Sequence, residues 1–357
     1  MLDAGCRMQD DGYWMMDTRC KMQDDGCRRE LNILIFSFSH IGDAVLSTAV
    51  IEPLQEHFPD SRVSVLVGPK AQEIFRGDDR ISEIIIYDNR GLHAGFNGKL
   101  RLIKGLRARR FDLVVDLRDS LWSRFIGGTR WGVPSSRRLK TRYRKLHAVD
   151  RYLDILGARD VKFRDAAPGI RVLDFERQAA SNFLSRKGVA DYDMLIGIHL
   201  GGGWPYKLWP VERFAALGDL VSRNYGAKVL VFAGPDEESL QRDMFESMEF
   251  LPILVKDVGL RELAALINQC RLYIGNDTGP MHMAAAVGTR VIAIFGPTDA
   301  DRTGPYGSEH IVISEEIDCS PCHPGRRPGG CKRGSCLAME AVSFEQVAEV
   351  VESALND

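Results

Sequence analysis

The chain alternates short apolar runs with segments whose apolar residues recur at helical spacing. The first run, LNILIFSF at residues 31–38, has the length of a buried strand. A helical period follows through SHIGDAVLSTAVIEPLQEHFP and ends at Phe58-Pro59. The runs RVSVLVG, EIIIYD and FDLVVDLR predict further strands, with helices near 70–76 and over LRLIKGLRARR. Strands that alternate with helices predict a parallel α/β sheet.

The second half of the chain repeats this pattern. Strands are predicted at DMLIGIHLG, AKVLVFAG, RLYIGND and RVIAIFG, with helical segments between them. The segment FERQAASNFLSRKG predicts a helix that connects the halves. We therefore predict two Rossmann-like domains with parallel sheets facing a central cleft, over residues 31–175 and 185–340. A closing helix over 343–355 begins at Ser343, a good N-cap.

Composition narrows the class of protein. A length of 357 residues suits two domains, and a net charge of −2 makes the molecule no polycation, so we expect no nucleic-acid partner. No apolar run reaches the roughly 18 residues of a membrane span. Acidic residues interrupt the N-terminus early, which argues against a secretory signal and favours a cytoplasmic protein. Residues 1–30 repeat CRMQDDG as CKMQDDG and predict a disordered extension.

The segment YIGNDTGPMHMAAAVGTRVIAIFGPT, residues 273–298, predicts a strand–helix–strand unit. Asp277, Thr278 or Gly279 can cap the helix, and the free amides near Gly279 favour an anion such as phosphate. The Asp277 carboxylate is better suited to sugar hydroxyls, and His282 can donate to a phosphate or a hydroxyl. The alternative is an ordinary capped helix in which His282 only packs.

Three other loops follow predicted strands. In the first, Gly42 permits close approach and Asp43 can act as a general base, or can simply favour the start of a helix. In the second, Gly202 and Gly203 offer backbone amides to phosphates, and Lys207 is either a diphosphate ligand or a solvated cation. The spacing is neither that of a P-loop nor that of G-x-G-x-x-G.

The third loop, FAGPDEES at residues 232–239, carries three successive acids. An acid at this position can bind the diol of a ribose or another sugar. The alternative is that the acids favour the start of the following helix. Glu237 is the acid for which we expect the ribose role, although Asp236 and Glu238 flank it.

Taken in order, these motifs resemble glycosyltransferase family 9, the ADP-heptose:lipopolysaccharide heptosyltransferases. The resemblance lies in ILIFSFSHIGDAVLSTAVIEPLQ, KLWP, FAGPDEE, NDTGPMHMAAAVG, FGPTD and the cysteine-bearing end, across roughly residues 31–355. It implies a GT-B fold with an acceptor-binding first domain, a nucleotide-sugar-binding second domain and a last helix that packs back on the first. It also implies transfer of heptose from ADP-heptose to the inner core of lipopolysaccharide with inversion.

The resemblance also implies roles for the loop residues. Asp43 looks like the catalytic base, and Lys207 looks like the ligand of the departing diphosphate. Asp277 would hold donor hydroxyls, with Gly279 and His282 at the phosphate end. Two alternatives remain open: a related GT-B enzyme that uses another nucleotide-sugar or epimerises it, and a non-catalytic binding module.

Two basic runs, one from Lys99 to Arg110 and one from Arg137 to Lys145, suit an anionic acceptor or the inner face of the inner membrane. A solvated face or nucleic-acid attraction is the alternative. Cys319, Cys322, Cys331 and Cys336 have a spacing close to that of structural zinc loops, and reduced packing thiols are the other interpretation. We expect no required cofactor, since no carboxylate pair marks a metal site. Assistance by Mg²⁺ stays open.

Overall fold

The computed structural model describes residues 30–133, 145–234, 236–322, 331 and 333–357. The 1–30 repeat, except its last residue, and most of the second basic run lie outside the described residues. The first half forms a five-stranded parallel sheet in the order β3-β2-β1-β4-β5. Its strands are β1 Leu31–Phe36, β2 Ser61–Val67, β3 Ile81–Ile86, β4 Leu113–Asp116 and β5 Thr129–Gly132.

The second half forms a six-stranded parallel sheet in the order β11-β10-β9-β6-β7-β8. Its strands are β6 Leu195–His199, β7 Lys228–Phe232, β8 Ile253–Val255, β9 Leu272–Asn276, β10 Arg290–Phe295 and β11 Ile311–Ser314. The prediction of two parallel α/β domains is confirmed. Each order reverses at one point, between β1 and β4 and between β6 and β9, and ligands of such sheets bind beyond the strand ends at that point.

Helices cover both sheets. In the first half they are α1 Ile41–Ser47, α2 Ile51–His57, α3 Gly95–Ala108 and α4 Ala148–Gly157. In the second half they are α5 Asp174–Arg186, α6 Val211–Tyr225, α7 Glu238–Ser247, α8 Leu260–Ile267, α9 Gly279–Ala286, α10 Ala300–Thr303, α11 Leu337–Ala341 and α12 Phe344–Asn356. Short 3₁₀ helices occupy Thr48–Val50, Pro69–Phe75, Leu121–Phe125 and Pro205–Lys207. The helix predicted near 70–76 is thus a 3₁₀ helix, with Pro69 in its first turn.

The chain passes from one core to the other just before α5. Ile170 is buried in the core of the first half, whereas Val172 is buried in that of the second. Ala180 and Leu184 of α5 also pack in the second core, so this helix belongs to the second half and is not a free linker. No helix in the described ranges is long and apolar enough to cross a membrane.

The prediction that the last helix packs back on the first domain is wrong. The apolar face of α12 presents Val347 and Val351 to the second core, where they are completely buried. The hydrogen bond from the Trp209 indole to the Val342 carbonyl (2.9 Å) fixes the segment just before α12. The apolar residues of α12 pack against α6, and both helices contribute to the second core.

The two halves touch directly. Met283 and Ala286 of α9 are buried within the apolar core of the first half, where α1 packs against α9. Glu73 accepts the Leu260 N–H at 2.9 Å, and the Tyr306 hydroxyl donates to Asp150 at 2.9 Å. This contact sets the distance between the reversal points of the two sheets.

Candidate active site

The four loops identified in the sequence all follow strands beside a reversal point. Asp43 lies in α1 after β1, and Lys207 and Asp277 follow the adjacent strands β6 and β9. Glu237 follows β7, the next strand along. Since the strands are parallel, these side chains share the carboxyl edges of the two sheets. The expected site residues are therefore assembled on both sides of the contact between the halves.

Helices α1 and α9 meet at their first turns. A Cβ added at Gly42 would lie 2.8 Å from Cδ2 of His282, and one added at Gly279 would lie 3.1 Å from Cβ of Ile41. A side chain at position 42 would therefore collide with His282, and one at position 279 would be tight against Ile41. Gly42 does not face an open ligand space here; it lets the start of α1 pack on His282.

Asp43 is partly buried at the start of α1. Burial raises the pKa of its carboxyl above the ordinary value of 3.8, and the negative charge of Asp277 adds to this. The cations near it, His40, Arg151 and Arg118, lower the pKa and only partly offset the burial. A carboxylate with a raised pKa is a stronger base. Helix α1, which carries Asp43, packs against α9, which begins two residues after Asp277.

Lys207 and Asp277 form a short ion pair. The Lys207 ammonium donates to Oδ2 of Asp277 at 2.5 Å, and it lies 3.3 Å from the Asp277 carbonyl oxygen. The hydroxyl of Thr298 donates to the same Oδ2 at 2.7 Å. Both charged side chains are largely removed from solvent, with 15% and 9% exposure. The ammonium is thereby held at the first turn of α9, where an anion would lie.

Asn276 holds the glycine loop, residues 201–203, that follows β6. Its side-chain amide donates to the carbonyl oxygens of Leu200 (2.9 Å) and Gly201 (3.1 Å), and its oxygen accepts the Trp209 N–H (3.1 Å). A Cβ at Gly203 would meet no atom within 4 Å, so the loop backbone is open there. Gly202 packs on the side chains of Leu208 and Lys207. The loop can therefore present amides beside the Lys207 ammonium.

Glu237 closes the other side of this loop. Its Oε2 accepts the Gly234 N–H at 2.7 Å and lies 3.7 Å from Nε2 of His199. A Cβ at Gly201 would lie 1.6 Å from Oε1, so any other residue there would displace the Glu237 carboxylate from this position. The neighbouring Asp236 and Glu238 are exposed, whereas Glu237 is partly buried. The structure thus selects one acid of the three.

His282 lies in the second turn of α9 and is almost completely buried. Burial lowers its pKa from 6.5 to about 4, with the nearby cations of His147 and Lys207 acting in the same direction and Asp277 opposing them. Its Nδ1 has no hydrogen-bond partner. At neutral pH His282 is therefore an uncharged imidazole. Thr278, the residue before α9, caps no helix amide with its side chain and instead donates to the Asn276 carbonyl oxygen at 3.3 Å.

Sequence reasoning missed several contributors to the site. Thr298, Asn276 and His199 were not assigned roles, although Thr298 and Asn276 stand within the FGPTD and NDTGP motifs. For both residues, their position within these motifs was the feature of the sequence that could have identified them. Arg118 and Arg151, which act on the charge of Asp43, come from segments that carried no motif.

The cysteine segment lies beside the site and not within it. The Cys322 N–H donates to the Pro297 carbonyl oxygen at 2.9 Å, next to Thr298. Burial, together with the nearby Cys319 and Cys331, raises the pKa of the Cys336 thiol. Within the described ranges, no group of three or more His, Cys, Asp and Glu side chains is placed to hold a metal ion.

Comparison with known proteins agrees with this geometry. The sequence model of glycosyltransferase family 9 (heptosyltransferase) matches residues 99–328, more than half of the chain. Lipopolysaccharide heptosyltransferase 3 of Escherichia coli K12 is 28% identical over 76% of this chain and 84% of its own. Lipooligosaccharide heptosyltransferase 2 of Campylobacter jejuni is 25% identical over 92% and 99%.

A solved structure shares the whole architecture. The family 9 glycosyl transferase of Veillonella parvula superposes with a TM-score of 0.79 at 27% identity, covering 93% of this chain and 99% of its own. The expected GT-B arrangement of two Rossmann-like domains is confirmed.

Proposed function

This chain belongs to glycosyltransferase family 9 (heptosyltransferase), and from that premise we propose that it transfers a heptose from ADP-heptose to the inner core of lipopolysaccharide. The names of its relatives support this substrate class. The observation that carries the proposal is the packing of α1, which carries Asp43, against α9, whose start lies beside the Lys207–Asp277 pair of the other half. A base and a leaving-group ligand on opposite sides of one cleft suit a single displacement, which inverts the anomeric carbon.

Asp43 is the base in this proposal. It accepts the proton of the acceptor hydroxyl as the new glycosidic bond forms, and its raised pKa makes the carboxylate more basic than an exposed aspartate. Arg118 and Arg151 partly offset this rise and favour the ionised carboxylate. Because the base must be deprotonated, kcat/KM falls as the pH drops through this raised pKa.

Lys207 and the first turn of α9 receive the diphosphate. Negative charge grows on the leaving ADP, and a fixed ammonium beside helix amides stabilises that charge most in the transition state. Open amides at Gly202 and Gly203 add to this anion site. Asp277 keeps Lys207 in place and offers its remaining oxygen to the sugar hydroxyls.

The remaining substrate contacts are also proposals. Glu237 binds the ribose diol, since it is the only acid of its loop that turns inward among the described residues. Thr278 and Gly279 contact the phosphate end, and neutral His282 donates a hydrogen bond there without adding charge. The cation and helix amides make a metal unnecessary, so EDTA should leave the rate unchanged. We place the enzyme in the cytoplasm, on the inner face of the inner membrane.

The test is incubation of the full chain with ADP-heptose and truncated core lipopolysaccharide. We expect stoichiometric ADP release and an acceptor heavier by one heptose in mass spectrometry. Asp43→Asn should lower kcat by about 10²-fold or more while the affinity for ADP is retained. Asp160→Asn, an exposed aspartate of the same half, is the matched control.

Two outcomes contradict the proposal. Release of ADP without a change in acceptor mass indicates hydrolysis or another chemistry. Transfer by Asp43→Asn at the wild-type rate removes this residue as the base. Arg118→Gln tests whether the titration of Asp43 sets the acidic limb of the pH–rate profile. Arg118 lowers the pKa of Asp43, so its loss should move this limb to higher pH.

A further inference from the structure

The first half exposes an unusual group of large apolar side chains. Leu92, Phe96 and Leu121 are 66%, 66% and 68% exposed, and Phe125 is 55% exposed. Side chains exposed to this extent protrude from the surface, whereas those that line a groove are mostly covered. A contiguous apolar patch on a water-soluble fold indicates an interaction surface.

These side chains form one patch. The ring of Trp122 lies 6.3 Å from the ring of Phe96 and 6.3 Å from that of Phe125. The ammonium of Lys99 lies 5.3 Å from the centre of the Trp122 ring, so α3 and the 3₁₀ helix present a shared face. We call this face the aromatic patch; it consists of the contacting rings of Phe96, Trp122 and Phe125 together with the exposed leucines close to them in the sequence, Leu92, Leu100 and Leu121.

The aromatic patch lies on the same sheet edge as the proposed base. Leu92 and Phe96 follow the carboxyl end of β3, and Leu121 to Phe125 follow that of β4. Asp43 follows the carboxyl end of β1, which pairs with β4. Arg118 links the two features: it acts on the pKa of Asp43 and lies three residues before Leu121.

Positive charge surrounds the patch. No Asp or Glu occurs in the sequence from 89 to 111 or from 120 to 133. Arg101, Lys104 and Arg124 are exposed beside it. The acids that flank these segments are engaged, since Asp88 accepts backbone N–H groups at 2.9 Å and 3.2 Å and Asp119 pairs with Arg130 at 3.5 Å.

We propose that the aromatic patch inserts into the headgroup region of an anionic bilayer and holds the edge that carries Asp43 against the membrane surface. Protruding aromatic and leucine side chains among cations are typical of interfacial anchors, because the rings enter the headgroup layer and the cations pair with lipid phosphates. Protein–protein interfaces, in contrast, are depleted in lysine. The inference deepens the proposed function, since it brings a lipid-anchored acceptor beside the base.

The test is co-sedimentation of the full chain with vesicles. Vesicles of phosphatidylethanolamine and phosphatidylglycerol are compared with vesicles of phosphatidylcholine alone. We expect binding to the anionic vesicles and a loss of about tenfold or more in the partition coefficient for Phe96→Ser/Phe125→Ser. Phe175→Ser/Leu251→Ser is the matched control, because these side chains of the second half are 70% and 82% exposed and should leave binding unchanged.

The charge contribution is measured separately. Arg101→Gln/Lys104→Gln/Arg124→Gln should weaken binding to the anionic vesicles only, and its difference from the wild type should shrink at about 1 M salt, where the screening length is about 3 Å. Leu121→Ser provides a second apolar variant, and unchanged thermal unfolding shows that each variant is folded.

Three results overturn the inference. The first is wild-type vesicle binding by the Phe96/Phe125 and Leu121 variants. The second is the absence of any vesicle binding by the wild-type chain. The third is a dimer in sedimentation velocity that these variants dissociate without a change in vesicle binding, since the patch would then join two copies of the chain. Vesicle binding by a chain that transfers no heptose would refute the proposed function and leave this inference standing.

Discussion

Replacing His282 by glutamine should change how the stability of the protein depends on pH. The imidazole is almost completely buried between α9 and α1, and Gly42 leaves no space that would let solvent reach it. Its pKa falls from 6.5 to about 4 on folding, first because of burial. Protonation would place a positive charge on the buried His282, so the unfolded chain takes up this proton more readily. The free energy of unfolding therefore decreases as the pH falls.

The magnitude follows from the two pKa values of His282. Between pH 6.5 and about 4 the unfolded chain binds a proton at this position and the folded chain does not. Each pH unit in this window costs the folded state about 1.4 kcal/mol, so the full effect is about 3 kcal/mol. From about pH 7.5 to about pH 5, the wild type should lose on the order of 2 kcal/mol that His282→Gln does not lose.

The assay is urea denaturation of both proteins at the two pH values, followed by tryptophan fluorescence and far-UV circular dichroism. Coincident curves from the two probes establish that one transition is measured. Other histidines titrate in both proteins and cancel in the difference. A variant whose free energy of unfolding stays parallel to that of the wild type across this range would refute the assignment of His282 as a buried neutral imidazole.

Three further predictions concern the site and the second core. Thr298→Val removes the hydroxyl bond to Asp277 and should raise KM for the donor about fivefold, with recovery in Thr298→Ser; equal KM values in all three would exclude a positioning role. Glu237→Gln should weaken ADP binding about tenfold in calorimetry, and unchanged affinity would contradict the ribose contact. Val351→Asp places a carboxylate in the second core and should lower the free energy of unfolding by more than about 3 kcal/mol. It should also weaken ADP binding, which would stay intact if α12 were docked on the first half.

The amino-acid sequence alone determined the class of fold and the loops that carry the chemistry. Apolar runs of strand length and helical periods are local signals, so two parallel α/β halves followed from them directly. Asp43, Lys207 and Asp277 were found because each stands just after such a run, where parallel strands hold their ligands. The order of these motifs then indicated the family.

Only the tertiary structure decided which side chains meet. The ion pair between Lys207 and Asp277 depends on β6 and β9 being neighbours, and strand order is a non-local property that no periodicity encodes. The same holds for Glu237, which turns inward while equally acidic neighbours face solvent. The last helix packs against α6 in the second core, and most side chains of the aromatic patch are exposed in the described part of the chain. Which side chains are buried depends on how segments distant in the sequence pack together, so burial is known only from the folded structure.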